Sequence, residues 1–171
     1  MSAERDGSAR SIDDAHANDP RFVEYYARES ATEKARVRAL GIMGAVLRAR
    51  RRAGLPVDNL LVADIGCNAG TQSRCWLEKG HSVRGLDISR DLVSVARERN
   101  REFGDRARFE VGSATDLPWD DETFDVCLLP ELLEHVDDWQ SCLEEAVRVL
   151  KRGGSLYVST TNVLCPVQQE F

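Results

Sequence analysis

Short apolar runs alternate with helix-patterned segments between residues 60 and 162, and this alternation limits the folds open to the chain. The runs are LLVADIG (60–66), SVRGLDIS (82–89), ARFEVGSA (107–114), FDVCLLP (124–130) and SLYVSTTN (155–162), each of strand length. Helical segments stand between them. TQSRCWLEKG ends at Gly80, SRDLVSVARERNREFG opens on a Ser89 or Asp91 cap and closes at Gly104, and DDWQSCLEEAVRVLKRGG is amphipathic. Strands joined through helices by short links lie parallel, because each connection must cross back over the sheet. The pattern predicts an α/β fold: a doubly wound, mostly parallel sheet with helices on both faces.

With 171 residues the chain has enough mass for one such domain, assigned to residues 57–171. Residues 21–56 are assigned to N-terminal helices. Their spacing is helical from Arg21 to Arg52, broken near Ser30, with Val37, Leu40, Ile42, Met43, Val46 and Leu47 on one apolar face. Residues 1–20 are polar and predict a mobile leader. The cluster RARRRAG (48–54) reads as a solvated helix end whose arginines complement the dipole. A net charge of −6 argues against an electrostatic nucleic-acid binder. No stretch approaches the roughly 20 apolar residues of a membrane helix, and residues 1–20 lack the apolar segment of a signal peptide. The five cysteines (67, 75, 127, 142, 165) form no C-x-x-C pair, so reduced thiols in a cytoplasmic protein are expected. His16 and His81 read as surface residues.

VADIGCNAG (62–70) leads the first strand into a tight glycine turn. In a doubly wound sheet, ligands lie outside the carboxyl ends of the strands, at the switch point beside strand one. Three segments reach that edge: the glycine turn, Asp87 at the end of strand two, and GSATDLPW after strand three. The dinucleotide fingerprint G-x-G-x-x-G fails twice from Gly66, because Asn68 and Thr71 occupy glycine positions. The missing glycines serve a pyrophosphate and close helix packing, so a ligand without a pyrophosphate fits better. No G-K-[ST] follows the turn, which removes a P-loop.

Taken in order, these segments resemble the class I S-adenosylmethionine-dependent methyltransferases. VADIGCNAG is similar to their D-x-G-x-G-x-G motif, with Asn68 replacing the middle glycine, and VRGLDIS to their acidic strand-two end. FEVGSATDLPWDDETFDVCLLPELLEHVDD resembles the third and fourth motifs, and VLKRGGSLYVSTTN the L-x-P-G-G turn before strand five. The resemblance implies S-adenosylmethionine as cofactor, held by Asp64, Gly66, Cys67, Asn68, Gly70, Asp87, Ile88, Ser113, Ala114 and Pro130. Asp87 would accept from both ribose hydroxyls, and Gly66 and Gly70 would let backbone approach the methionine part. Asp64 would fix the loop and the ammonium end. Ser113 stands where the family often has Asp against the adenine amino group, with Ile88 and Ala114 flanking the ring. Tyr25 and Tyr26 either close over the site or pack the helices. The resembling fold continues past strand five with a helix and an antiparallel strand pair. Nine residues follow Asn162, so the α/β domain is expected to be incomplete at its C-terminus.

Methyl transfer is an in-line displacement that rests on alignment, and an oxygen nucleophile also needs a base or a metal. The N-P-P-Y sequence of amine methylases is absent and LPEL stands in its place, which shifts weight to oxygen or carbon acceptors on small molecules. ELLEH (131–135) puts Glu131, Glu134 and His135 at i, i+3 and i+4, on one face if that stretch is helical. This E-x-x-E-H resembles the ubiquinone-biosynthesis O-methyltransferases and the small-RNA 2′-O-methyltransferases. It implies Mg²⁺ or a similar divalent cation held by the three, which are also the catalytic candidates. The expected reaction is O-methylation of a small-molecule acceptor. An RNA or other polymer acceptor, or a cofactor-binding domain without activity, are the alternatives.

Overall fold

The computed structural model describes residues 19–160. The predicted leader up to residue 18, His16, Cys165 and the last two residues of the fifth predicted strand lie outside them. The order of elements is α1 (Pro20–Ser30), α2 (Glu33–Arg52), β1 (Leu61–Ile65), α3 (Thr71–Glu78), β2 (Ser82–Asp87), α4 (Arg90–Arg99), β3 (Ala107–Val111), β4 (Phe124–Pro130), α5 (Trp139–Arg148) and β5 (Leu150–Ser159). Side-chain caps set the helix starts. Asp19 accepts from Arg21 N at 2.9 Å before α1, and Thr32 accepts from Ala35 N at 3.2 Å before α2. Of the two candidates for α4, Ser89 is the cap, through Leu92 N at 3.4 Å.

The five strands form one parallel sheet in the order β3-β2-β1-β4-β5. The winding reverses at β1, so the switch point lies between β1 and β4. Alternate residues of β1 and β4 serve opposite faces. Val62, Val126 and Leu128 meet Ile42, Met43 and Val46 of α2 and Trp76 and Leu77 of α3. Ala63, Ile65, Cys127 and Leu129 meet Cys142 and Ala146 of α5. Val93 and Ala96 of α4 pack on Phe109 and Cys67. No helix joins β3 to β4; the connecting loop instead buries Leu117 and Trp119, with the Trp119 ring 4.8 Å from Phe124. Both faces are thereby covered, as a parallel sheet requires.

Three local expectations are corrected. The last predicted helix stops at Arg148 rather than running to Gly154. Leu150 already pairs with Phe124, and the next partners are Val126 and Ser155, so Lys151–Gly154 form a bulge with Gly153 at φ 74°. Arg50 is no solvated helix end: it is 3% exposed and donates to the Pro56 carbonyl (2.7 Å), the Asp125 carbonyl (2.8 Å) and Ser155 Oγ (3.0 Å). His81 is likewise buried, its Nδ1 accepting from Leu60 N at 3.2 Å and its ring against Trp76. Cys67, Cys75, Cys127 and Cys142 are free and buried. No helix among the described residues is long and apolar enough to cross a membrane.

Candidate functional site

The carboxyl ends of β1, β2 and β4, the loop after β3 and the α1–α2 pair enclose a cavity of about 940 Å³. β1 feeds it through a turn in which Gly66 (φ 74°) and Asn68 (φ 50°) are both left-handed. Asparagine is one of the few residues with a β-carbon that tolerates this conformation, so Asn68 does the work of the missing glycine. Its amide donates to Asp87 Oδ2 at 2.8 Å, and its own Oδ1 accepts from Ala69 N at 2.6 Å. Gly70 has a different role from the one expected. It does not line the cavity, and a β-carbon there would come within 2.6 Å of Asn100 Nδ2 and 3.0 Å of Ala96 Cβ. It starts α3 and lets α4 pack against the turn.

Two carboxylates sit at adjacent strand ends. Asp64 is fully buried, and its Oδ2 accepts from Ser73 Oγ at 2.5 Å. Its Oδ1 has no hydrogen-bond partner among the described residues. Burial pushes this carboxyl up to about 6, against the Ser73 hydroxyl, which pulls it down. Such a group is set to receive a cationic donor. Asp87 is half-buried at the end of β2. Oδ1 accepts from Ser89 N at 2.9 Å while Oδ2 accepts from Asn68 N at 2.8 Å, which fixes the carboxylate at the cavity wall. Burial raises its pKa, and the amides of Ser89, Asn68 and Ile88 oppose the rise.

Beyond Asp87, Ile88 is 40% exposed and Ala114 half-buried, and both line the cavity. Ser113 Oγ lies 2.8 Å from Thr115 Oγ1 and accepts from Thr115 N at 3.2 Å, so Thr115 orients the hydroxyl. Cys67 and Pro130 complete the expected lining. Sequence reasoning missed Thr115, Thr71, Leu132 and the α2 residues Lys34 and Arg38. The α2 pair was detectable in principle, since it borders the apolar stripe whose Ala39 and Ile42 also line the cavity.

The acceptor end departs from expectation. Glu131 follows β4 at φ 51°, its amide bound to the Ser159 carbonyl at 2.8 Å, and a 3₁₀ turn begins only at Leu133. Glu131 therefore does not share a helical face with Glu134 and His135. It is ion-paired with Arg38, while Glu134 Oε2 accepts from Thr160 Oγ1 at 3.1 Å. All three line the cavity, yet no group of three His, Cys, Asp or Glu side chains among the described residues is arranged to hold a metal ion. The residues as placed do not fit the implied cation. Tyr26 lines the cavity, its hydroxyl pKa raised first by burial and then by Tyr25 and Glu134; Tyr25 is exposed and meets it edge to face.

A doubly wound sheet here carries one carboxylate at the end of β2 and a second, buried under a left-handed turn, both lining one cavity beside the switch point. Residues 63–158, more than half of the chain, match the family model described as a methyltransferase domain, and the chain belongs to this family of class I S-adenosylmethionine-dependent methyltransferases. It is 35% identical over 111 residues to the ubiquinone biosynthesis O-methyltransferase of Chelativorans sp., covering 65% of this chain and 44% of that protein. The fold resembles that of the protein mmp1179 of Methanococcus maripaludis, with a TM-score of 0.69 at 19% identity over 92% of this chain and 68% of that one. It also resembles the [4+2]-cyclase SpnF, at 27% identity and a TM-score of 0.55 over 58% and 38% of the two chains. The matched segment spans less than half the length of the curated relatives.

Proposed function

We propose that this chain binds S-adenosylmethionine in the cavity and transfers its methyl group to a small-molecule acceptor at oxygen. The observation that carries the reading is the pair of carboxylates, Asp87 fixed by two backbone amides and Asp64 buried with a free oxygen, on the rim of one turn. Asp87 would hold the ribose hydroxyls and Asp64 the ammonium group. Gly66, Cys67 and Asn68 would pass along the methionine part, with Ile88, Ser113 and Ala114 around the adenine and Pro130 at the sulfonium end. The bound cofactor supplies an electrophilic methyl group. His135 is exposed on the 3₁₀ turn at the cavity, where a ring nitrogen could take the acceptor's hydroxyl proton. Glu134, tied to Thr160, would position that turn. No step is assigned to a divalent cation, because no group of three His, Cys, Asp or Glu side chains among the described residues is arranged to hold one.

The test is calorimetry with S-adenosylhomocysteine, followed by transfer from labelled S-adenosylmethionine to a panel of phenols and catechols. Asp87→Ala is expected to weaken binding by about 3 kcal/mol, since it deletes charge-assisted hydrogen bonds. Unchanged affinity overturns the assignment. A second reading, cofactor binding without methyl transfer, is favoured by the likeness to a protein named as a [4+2]-cyclase. Binding with no labelled product from any acceptor selects it.

A further inference from the structure

Among the described residues, one wall of the cavity is held by hydrogen bonds with no fully buried side chain. α1 contributes Tyr26, Glu29 and Ser30 to the lining, yet none of its described side chains is buried and none joins a core cluster. Three of its docking bonds converge on the last turn. Arg99, the final residue of α4, donates Nη1 to Ser30 Oγ at 2.9 Å and Nη2 to the Ala27 carbonyl at 2.8 Å. Thr71, the first residue of α3, donates Oγ1 to the Ser30 carbonyl at 2.6 Å. A guanidinium at the carbonyl end of a helix is favoured by the dipole, and its planar fork suits two acceptors one turn apart. α2, by contrast, buries Ala39, Ile42, Met43 and Val46, so it is anchored independently. Ala31 and Thr32 separate the two helices.

We propose that Arg99 is a positioning residue that latches α1 over the cavity and sets the rate at which cofactor and demethylated product exchange. Thr71 sits directly after the glycine turn, so the same latch registers the wall against the loop that holds the ligand. Arg99 itself does not line the cavity. The inference rests on the cavity being the cofactor site.

The experiment compares the full chain with Arg99→Ala, Arg99→Lys and Ser30→Ala. Amide hydrogen exchange is followed over residues 20–30 in the free proteins, and S-adenosylhomocysteine binding by stopped flow. In Arg99→Ala, exchange over 20–30 and ligand dissociation are each expected to rise at least about tenfold, the effect of losing even one of the two charge-assisted bonds, with β1 and β4 still protected. Association is expected to quicken as well, so affinity changes less than either rate. A merely structural defect would slow association instead. Lysine, with one ammonium for two acceptors, and Ser30→Ala, which removes one bond, should fall between. Unchanged exchange over 20–30 in Arg99→Ala and Ser30→Ala overturns the proposal, as does faster exchange with unchanged dissociation. If Arg99→Ala does not fold, Ser30→Ala carries both readouts. If the wild type binds no S-adenosylhomocysteine, the cofactor reading fails, and the exchange data still decide whether Arg99 holds α1.

Discussion

Burial holds the Asp64 carboxyl at about 6, so between its ordinary value of 3.8 and about 6 the folded chain carries a proton there that the unfolded chain has already released. Stability from this group is therefore lost as pH rises from the ordinary carboxylate value to about 6, and Asp87, also raised by burial, pulls the same way. His81 acts in the opposite sense. Its pKa is lowered by burial, so its contribution is full above 6.5 and is lost as pH falls. The opposed titrations should flatten the wild-type profile below pH 6.5, where the Asp64 window up to about 6 overlaps the charging of His81. In Asp64→Asn the urea midpoint should fall as pH drops across this range, and in His81→Asn it should rise; parallel profiles for the two variants would contradict the assignment. With the cofactor's ammonium placed on Asp64 as proposed, affinity for S-adenosylhomocysteine should weaken about tenfold per pH unit below the Asp64 value, since protonation removes the carboxylate's charge. Calorimetry across that range reads it directly. At this scale the placement of Asp64 and Asp87 near the ends of adjacent strands was legible in the sequence. The role of His81 was not, because burial by Trp76 and the Leu60 amide is set by tertiary packing rather than by neighbours in sequence.

Elements were read well where their own periodicity defines them and poorly where a partner does. The break near Ser30, the β1 turn and the parallel strands follow from local patterns. Arg50 looks like its neighbours in RARRRAG, and only the docking of α2 on β4 and β5 separates it from them. Arg50→Ala should cost about 2–3 kcal/mol in urea unfolding, because it strips hydrogen bonds from two carbonyls and a hydroxyl. Arg51→Ala, at an exposed position, should stay within about 0.5 kcal/mol. Equal effects would show the buried contacts to be energetically idle. The spacing of ELLEH misled for a related reason: one left-handed residue after β4 turns Glu131 away from the frame that relates Glu134 to His135. The bulge at Lys151–Gly154 belongs with it, since only pairing with β4 distinguishes it from a helix end.

For the molecule as a whole, the winding order was legible because alternation and short links leave few parallel topologies, whereas the cavity's fourth wall comes from α1 and α2, upstream of every motif. Saturating S-adenosylhomocysteine, at about a hundredfold above its dissociation constant, should stabilise the native chain by about 2.7 kcal/mol, and Asp87→Ala should abolish most of that shift at the same concentration. Thermal melts of both proteins with and without ligand measure it. The pairing of β1 with β4 adds a consequence in time. Val62 and Val126 are distant in sequence, and closing a loop of that length is slow, so the switch point should be assembled late in folding. A ligand that needs the finished switch point has nothing to grip in the transition state. It should leave the refolding rate unchanged and slow unfolding by the whole of its stabilisation, so that on a chevron plot one limb drops while the other stays where it was.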